Sequence, residues 1–169
     1  MYNRAQAEDL KTGGIMDAID AKLLDILQED ASQSYAVLGG KVGLSVSAVN
    51  DRVRKLRDQG IIRAYRIDID PQAVGRSLMA MVWLRSDPAK GNRKMIKSLI
   101  KADEVMECHH MTGRFDFLLK LRLRDTAHLE SFVTDVIKEL PGIVEVLPEI
   151  ALSTAKETAF IPAQTASDS

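Results

Sequence analysis

The sequence predicts an α+β chain in two parts: a winged-type helix-turn-helix unit of three helices, then a ferredoxin-like β-α-β-β-α-β domain. Three observations predict it. Apolar residues recur with a helical period up to Gly60 and with a largely alternating one beyond it. Gly43-Leu44-Ser45 marks a tight turn inside the helical part. Charge is separated by segment: Lys41 to Arg66 holds seven basic residues against two acidic ones, net +5, in a chain of formal net charge -1.

The first helix is expected over about Asp17 to Asp30. Ile19, Leu23, Leu24, Ile26 and Leu27 line one face, and Asp17 stands at the N-cap. After the polar break Ala31-Ser32-Gln33-Ser34, a short second helix carries Tyr35, Val37 and Leu38 and is weakened by Gly39-Gly40. Gly43 can end it with a positive φ, and the Ser45 hydroxyl can cap the third helix, Val46 to Gln59, which Gly60 closes. Val49, Val53 and Leu56 form the buried face of that helix.

With about 100° per residue, the opposite face holds Ser47, Asp51, Arg54 and Asp58, flanked by Asn50 and Lys55. It is polar and small near its N-terminal end, the shape that enters a major groove. Asn can read adenine, Ser either base type, and Arg can read guanine or hold phosphate. Asp51 suits a cytosine amino group or the ordering of Arg54 or Lys55. The candidate DNA contacts are therefore Ser45, Ser47, Asn50, Asp51, Arg54 and Lys55. Arg52 lies beside the buried face and is expected to hold an intradomain partner or a backbone phosphate. Three short helices can also form a plain bundle with a solvated basic face. The tight turn, the local +5 and the small polar face together favour DNA.

Beyond Gly60, Ile61 to Ile69 alternates and is expected as a connecting strand, stopped by Asp70-Pro71. Strands are expected at Leu78 to Leu84, Val105 to Met111, Phe115 to Leu123 and Ile143 to Leu152, with helices at Asn92 to Lys101 and Thr126 to Leu140. A sheet covered on one face leaves its other face and its edges in need of cover, so association is expected. The domains are drawn as a flexible extension 1–15, a helix-turn-helix 16–60, a connecting strand and linker 61–75, an αβ domain 76–155 and a tail 156–169.

Composition excludes several function classes. With 169 residues, 46% hydrophobic, the chain can bury one medium core or two small ones. Met1 to Gly14 has no apolar run for a signal segment, and no stretch offers the roughly 18 apolar residues of a membrane span. A cytoplasmic, nucleoid-associated protein is expected. The single cysteine, Cys108, excludes an intrachain disulfide and a cysteine-built zinc site. Cys108 and His110 share a strand face without a third ligand, so packing accounts for Cys108 better than metal. No nucleophile and base pair, phosphate loop or cofactor motif is present, and His128 reads as a surface helix residue, so neither an enzyme nor a cofactor is expected.

The turn Met111-Thr112-Gly113-Arg114-Phe115-Asp116-Phe117 is more specific. Gly113 brings backbone N–H groups close to anything bound, and Asp116 can pair with an ammonium or hydrogen-bond the turn itself.

Several runs resemble one family. Met16-Asp17-Ala18-Ile19-Asp20, Leu24-Asp25-Ile26-Leu27-Gln28-Glu29-Asp30, Val42-Gly43-Leu44-Ser45-Val46-Ser47-Ala48-Val49, Arg52-Val53-Arg54-Lys55-Leu56 and Gly60-Ile61-Ile62 are similar to the helix-turn-helix of the Lrp/AsnC (leucine-responsive, feast/famine) regulators. Glu107-Cys108-His109, Thr112 to Lys120 and Leu140-Pro141-Gly142-Ile143 resemble that family's second domain, in the same order. The resemblance implies a prokaryotic transcription regulator of amino-acid or related metabolism. It also implies double-stranded promoter DNA as partner and a homodimer assembling to a tetramer or octamer. The small-molecule effector, commonly an amino acid, would sit between dimers at the Gly-x-x-Asp turn. Carried over, this places Gly113, Arg114 and Asp116 at the effector site with His110 beside them; Thr126 and Glu149 to Ala151 join by topology. An unpaired buried charge is costly, so Glu149 and His110 argue for a polar or cationic effector over leucine. A ligand-independent architectural DNA binder is the alternative.

Overall fold

The computed structural model describes residues 16–163, apart from residue 91. The expected extension 1–15 lies outside the described residues. The chain divides into two compact units, one taking residues up to Ile67 and from Glu157 onward, the other Asp68–Lys156.

Three helices build the first unit: α1 (Ala18–Glu29), α2 (Tyr35–Val42) and α3 (Val46–Asp58). Each begins where a side chain satisfies a free N–H. Asp17 caps α1 and closes a reciprocal capping box with Asp20, Ser34 accepts from Val37 N, and Ser45 accepts from Ala48 N. Leu23, Leu27, Leu38, Val49 and Val53 meet in the core, with Ile19, Tyr35, Leu44 and Ile62 packed against them. Burying each of the larger side chains contributes about 1.5–3 kcal/mol. The turn between α2 and α3 rests on two glycines. Gly43 takes φ 72°, and Gly39 lets the chain fold back, because a Cβ there would lie 2.5 Å from the Leu44 carbonyl oxygen. Gly39 thus serves close approach as well as weakening its helix.

Two expectations fail in this unit. Among the described residues no wing hairpin follows α3; the helix-turn-helix consists of the three helices alone. The connecting strand over Ile61 to Ile69 does not form. Its alternation is real, but a strand exists only as part of a ladder, and among the described residues no segment pairs with it. Ile67 is 87% exposed. The C-terminal residues drawn as a tail instead return to α1. The Gln28 amide donates to Ile161 O at 2.8 Å and accepts from Ile161 N at 2.9 Å, and Ala163 N donates to Asp25 Oδ1 at 2.9 Å.

The second unit is a four-stranded antiparallel sheet in the order β2-β3-β1-β4, from β1 (Leu78–Ser86), β2 (Val105–His110), β3 (Phe117–Leu123) and β4 (Ile143–Ile150). Helix α4 (Asn92–Leu99) links β1 to β2. Helix α5 (Thr126–Ser131) links β3 to β4 and continues as a π-helical segment, Phe132–Ile137. The alternation of β1 and β3 sends Ala80, Val82, Leu84, Phe117, Leu119, Leu121 and Leu123 into one core with Met95, Leu99, Leu129, Phe132, Val133 and Ile137. The helices cover that face, and the other face presents Met81, Trp83 and Leu118 among charged residues.

His128 is not a free surface residue. Its side chain is 14% exposed, its Nε2 lies 3.4 Å from Glu104 Oε1, and its Nδ1 accepts from Arg124 N at 3.4 Å. Arg76 reaches the same Glu104 oxygen at 3.3 Å. Glu104 precedes β2 and is far from His128 in sequence, so its approach follows from strand pairing alone.

Candidate functional site

The exposed side of α3 is set by what its buried side requires. Val49, Val53 and Leu56 face the core, which leaves Ser47, Asn50, Asp51, Arg54 and Lys55 in solvent. Ser45 at the helix start uses its hydroxyl twice, accepting from Ala48 N at 3.3 Å and lying 3.1 Å from Ser47 Oγ. Asp51 and Arg54 pair at 2.8 Å across one helical turn, both well exposed, so the bond can be exchanged for phosphate at little cost.

Arg52 departs from this surface. Its Nη1 lies 2.7 Å from both Asp17 Oδ2 and Asp20 Oδ1. Of the two partners left open for it by sequence, the intradomain one is realised. The backbone N–H of Asp20 and the Arg52 guanidinium hold the Asp17 carboxyl below the usual carboxylate range, and Asp20 and Asp17 raise Arg52 in turn.

In the second unit, the turn between β2 and β3 places Gly113 at φ 115° and open to solvent. Asp116 does not bond its own turn through its side chain. Its Oδ2 accepts from Ser86 N at 2.7 Å and Ser86 Oγ at 2.9 Å, at the end of β1. These two bonds, the backbone one first, hold its carboxyl below the usual range. Arg114 donates to Glu145 at 2.7 Å and stands 5.1 Å over the Phe115 ring. Arg85 reaches the same Glu145 at 2.9 Å. Trp83 packs 6.1 Å from Phe115 and donates its indole N–H to Glu149 at 2.9 Å. His110 stacks 4.9 Å from Phe117 beside the turn. Cys108 packs against the core, and burial raises its thiol. Among the described residues, no three His, Cys, Asp or Glu side chains are gathered as a metal site.

Both units match family models. Residues 16–57 match the AsnC-type helix-turn-helix domain, and residues 79–160 the Lrp/AsnC ligand binding domain. The chain belongs to the Lrp/AsnC family of transcriptional regulators. It is 33% identical over 147 residues to the HTH-type transcriptional regulator FL11 of Pyrococcus abyssi, covering 87% of this chain and 96% of that one. It is 31% identical over 163 residues to the leucine-responsive regulatory protein of Haemophilus influenzae, covering 95% and 98%. Among solved structures, a Neisseria meningitidis transcriptional regulator in complex with L-Met superposes with TM-score 0.83 at 31% identity, covering 86% of this chain and 96% of that one. AsnC of E. coli superposes with TM-score 0.80 at 25% identity, covering 86% and 98%.

This Lrp/AsnC regulator brings together most of the residues singled out by sequence, but not all. Ser47, Asn50, Asp51, Arg54 and Lys55 share one exposed side of α3, and Ser45 caps its start. Gly113, Arg114, Asp116 and His110 cluster at one end of the sheet, and Glu149 joins through Trp83. Thr126 does not. It follows β3 at the Leu123 end, whereas the turn precedes Phe117, so the length of β3 separates them, about 20 Å at 3.3 Å per residue. Glu149 is exposed and accepts from the Trp83 indole N–H. Val46, at the start of α3 beside these residues, is 52% exposed; at about 100° per residue it falls next to buried Val53, so the sequence period gave no sign of that exposure.

Proposed function

We propose that the exposed N-terminal half of α3 enters the major groove of promoter DNA. Asn50 and Ser47 read base edges, Val46 meets a thymine methyl, Arg54 and Lys55 hold phosphates, and Ser45 and Asp51 order the helix start and Arg54. The retraction of Arg52 onto Asp17 and Asp20 carries this reading, because it ties the groove-facing helix to α1 and leaves the small polar side unobstructed. A homodimer, assembling further to a tetramer or octamer, presents two such helices about one DNA turn apart, so the site is palindromic and the protein acts at the nucleoid. Selection of bound sequences from a random pool tests it. Enrichment of a palindrome that relaxes with Asn50→Ala supports the reading; uniform loss of affinity across sequences overturns the reading role of Asn50.

The turn at Gly113 to Asp116 is the effector site in this proposal, with an amino acid as effector, as the L-Met complex of the Neisseria relative suggests. The Gly113 backbone and Arg114 suit an α-carboxylate, and the remaining Asp116 oxygen an α-ammonium. Thr126 can join only from another copy. Calorimetry with the common amino acids checks this, and heat that survives Asp116→Ala unchanged for every one of them would remove Asp116 from the site. One observation favours the second reading, an architectural binder without an effector: Ser86 already occupies Asp116 Oδ2. DNA affinity indifferent to every amino acid would decide for it.

A further inference from the structure

Residues 88–102 contain Lys90, Arg93, Lys94, Lys97 and Lys101 and no acidic residue, a second net +5 segment that lies outside the helix-turn-helix. The structure puts these charges on α4 and its flanks. Met95 and Leu99 are 1% and 0% exposed and fix the buried side of the helix. At about 100° per residue, Lys94, Lys97 and Lys101 fall within an arc of roughly 60°, turned away from Met95 and Leu99. All three are exposed.

Four other basic side chains of the same unit have acidic partners: Arg76 has Glu104, Arg85 and Arg114 have Glu145, and Lys120 has Glu107. Among the described residues, Lys90, Lys94, Lys97 and Lys101 make no ion pair. Like charges three and four residues apart on a helix repel, each pair by about 0.2–0.5 kcal/mol. A surface that concentrates ammonium groups against this cost, in a chain of net charge -1, is matched to a polyanion. Lysine ammoniums on flexible stems are point charges for phosphate and do not read base edges bidentately as arginine does.

We propose that the lysine stripe of α4 is a second DNA surface, holding the phosphate backbone without regard to sequence, so that one bound duplex is gripped by both units. The inference rests on the reading of α3 as the groove-entering helix. It commits to duplex DNA as occupant because that polyanion is the one the other unit of the same chain is built to bind. The competing occupant is the acidic helix of a second copy, whose segment 126–140 carries Glu130, Asp135 and Glu139 against Lys138.

The test uses the full chain and its K94Q/K97Q/K101Q variant. Affinity is measured against salt on a duplex of about 150 bp, one persistence length, and on one of about 10 bp, a single turn. Each phosphate contact contributes about 0.9 to the slope of log affinity on log salt, so the triple variant is expected to lose up to about 2.7 units on the long duplex. The K94R/K97R/K101R variant is expected to keep the slope. An unchanged slope on the long duplex overturns the proposal. A variant that sediments as a smaller oligomer with its slope intact also overturns it and assigns the stripe to a neighbouring copy. Arg54→Ala on the short duplex separates the two layers of the argument. If Arg54 proves dispensable there, the α3 reading fails; if Arg54 matters while the stripe does not, only the stripe fails.

Discussion

Arg52 Nη1 lies 2.7 Å from Asp20 Oδ1, and Asp20, 7% exposed, is the one buried charged residue among the described residues. The pair fastens the middle of α3 to the first turn of α1. Removing Arg52 strands the Asp20 carboxylate in a poorly hydrated place. Arg52→Ala is therefore expected to lower the stability of the first unit by about 1–3 kcal/mol in urea unfolding, with charge-assisted hydrogen bonds at stake. Arg54→Ala, which removes an exposed pair, should stay within about 0.5 kcal/mol of the parent. Equal effects of the two substitutions would mean that the Arg52 bonds stabilise no more than a surface pair.

Adjacent glycines in α2 should respond in opposite directions. A Cβ on Gly39 meets the Leu44 carbonyl oxygen at 2.5 Å, and backbone cannot easily yield. Gly39→Ala is expected to cost about 1–3 kcal/mol through overpacking. Gly40 has nothing within 4 Å of such an atom, and Gly40→Ala should add about 0.5–1 kcal/mol by helix propensity. Thermal melts of both variants check the sign of each change.

The carboxyl of Asp116 is held below its ordinary 3.8 by the backbone N–H of Ser86 and then by the Ser86 hydroxyl. A depressed folded-state pKa means that the stabilisation is fully present above the ordinary carboxylate value and is lost as pH falls through the lowered one. Ser86→Ala removes the hydroxyl bond and keeps the N–H. The carboxyl carbon of Asp116, followed by NMR through an acid titration, should then titrate nearer the ordinary value. A midpoint that does not move would mean that the hydroxyl contributes nothing to the shift.

Ile67 offers a test of the proposed dimer. Among the described residues, the backbone of 63–69 makes no hydrogen bond, and Tyr65, Ile67 and Ile69 are exposed. If two copies pair antiparallel about Ile67, Arg66 stands opposite Asp68 and Tyr65 opposite Ile69; a pairing centred on Arg66 sets two arginines face to face. In a Cys108→Ser background, Ile67→Cys is expected to give a disulfide-linked dimer on a non-reducing gel, and Ala64→Cys is not. Failure of Ile67→Cys to cross-link while the protein sediments as a dimer would exclude this register.

The sequence by itself determined the elements that depend on near neighbours. Caps at Asp17 and Ser45, the glycine turn at Gly43, the buried face of α3, and the β-α-β-β-α-β order all follow from spacing along one segment, because helix and strand periods are local properties. Tertiary structure alone decided what depends on residues far apart in the chain: the approach of Arg52 to Asp20, of Glu104 to His128, of Gln28 to Ile161, and of Asp116 to Ser86. The same distinction explains the failures. The alternation of Ile61 to Ile69 promised a strand, but a ladder needs a second segment, and none pairs with it among the described residues. Thr126 was placed beside the effector turn by topology, and within one chain the length of β3 sets it at the other end of the sheet.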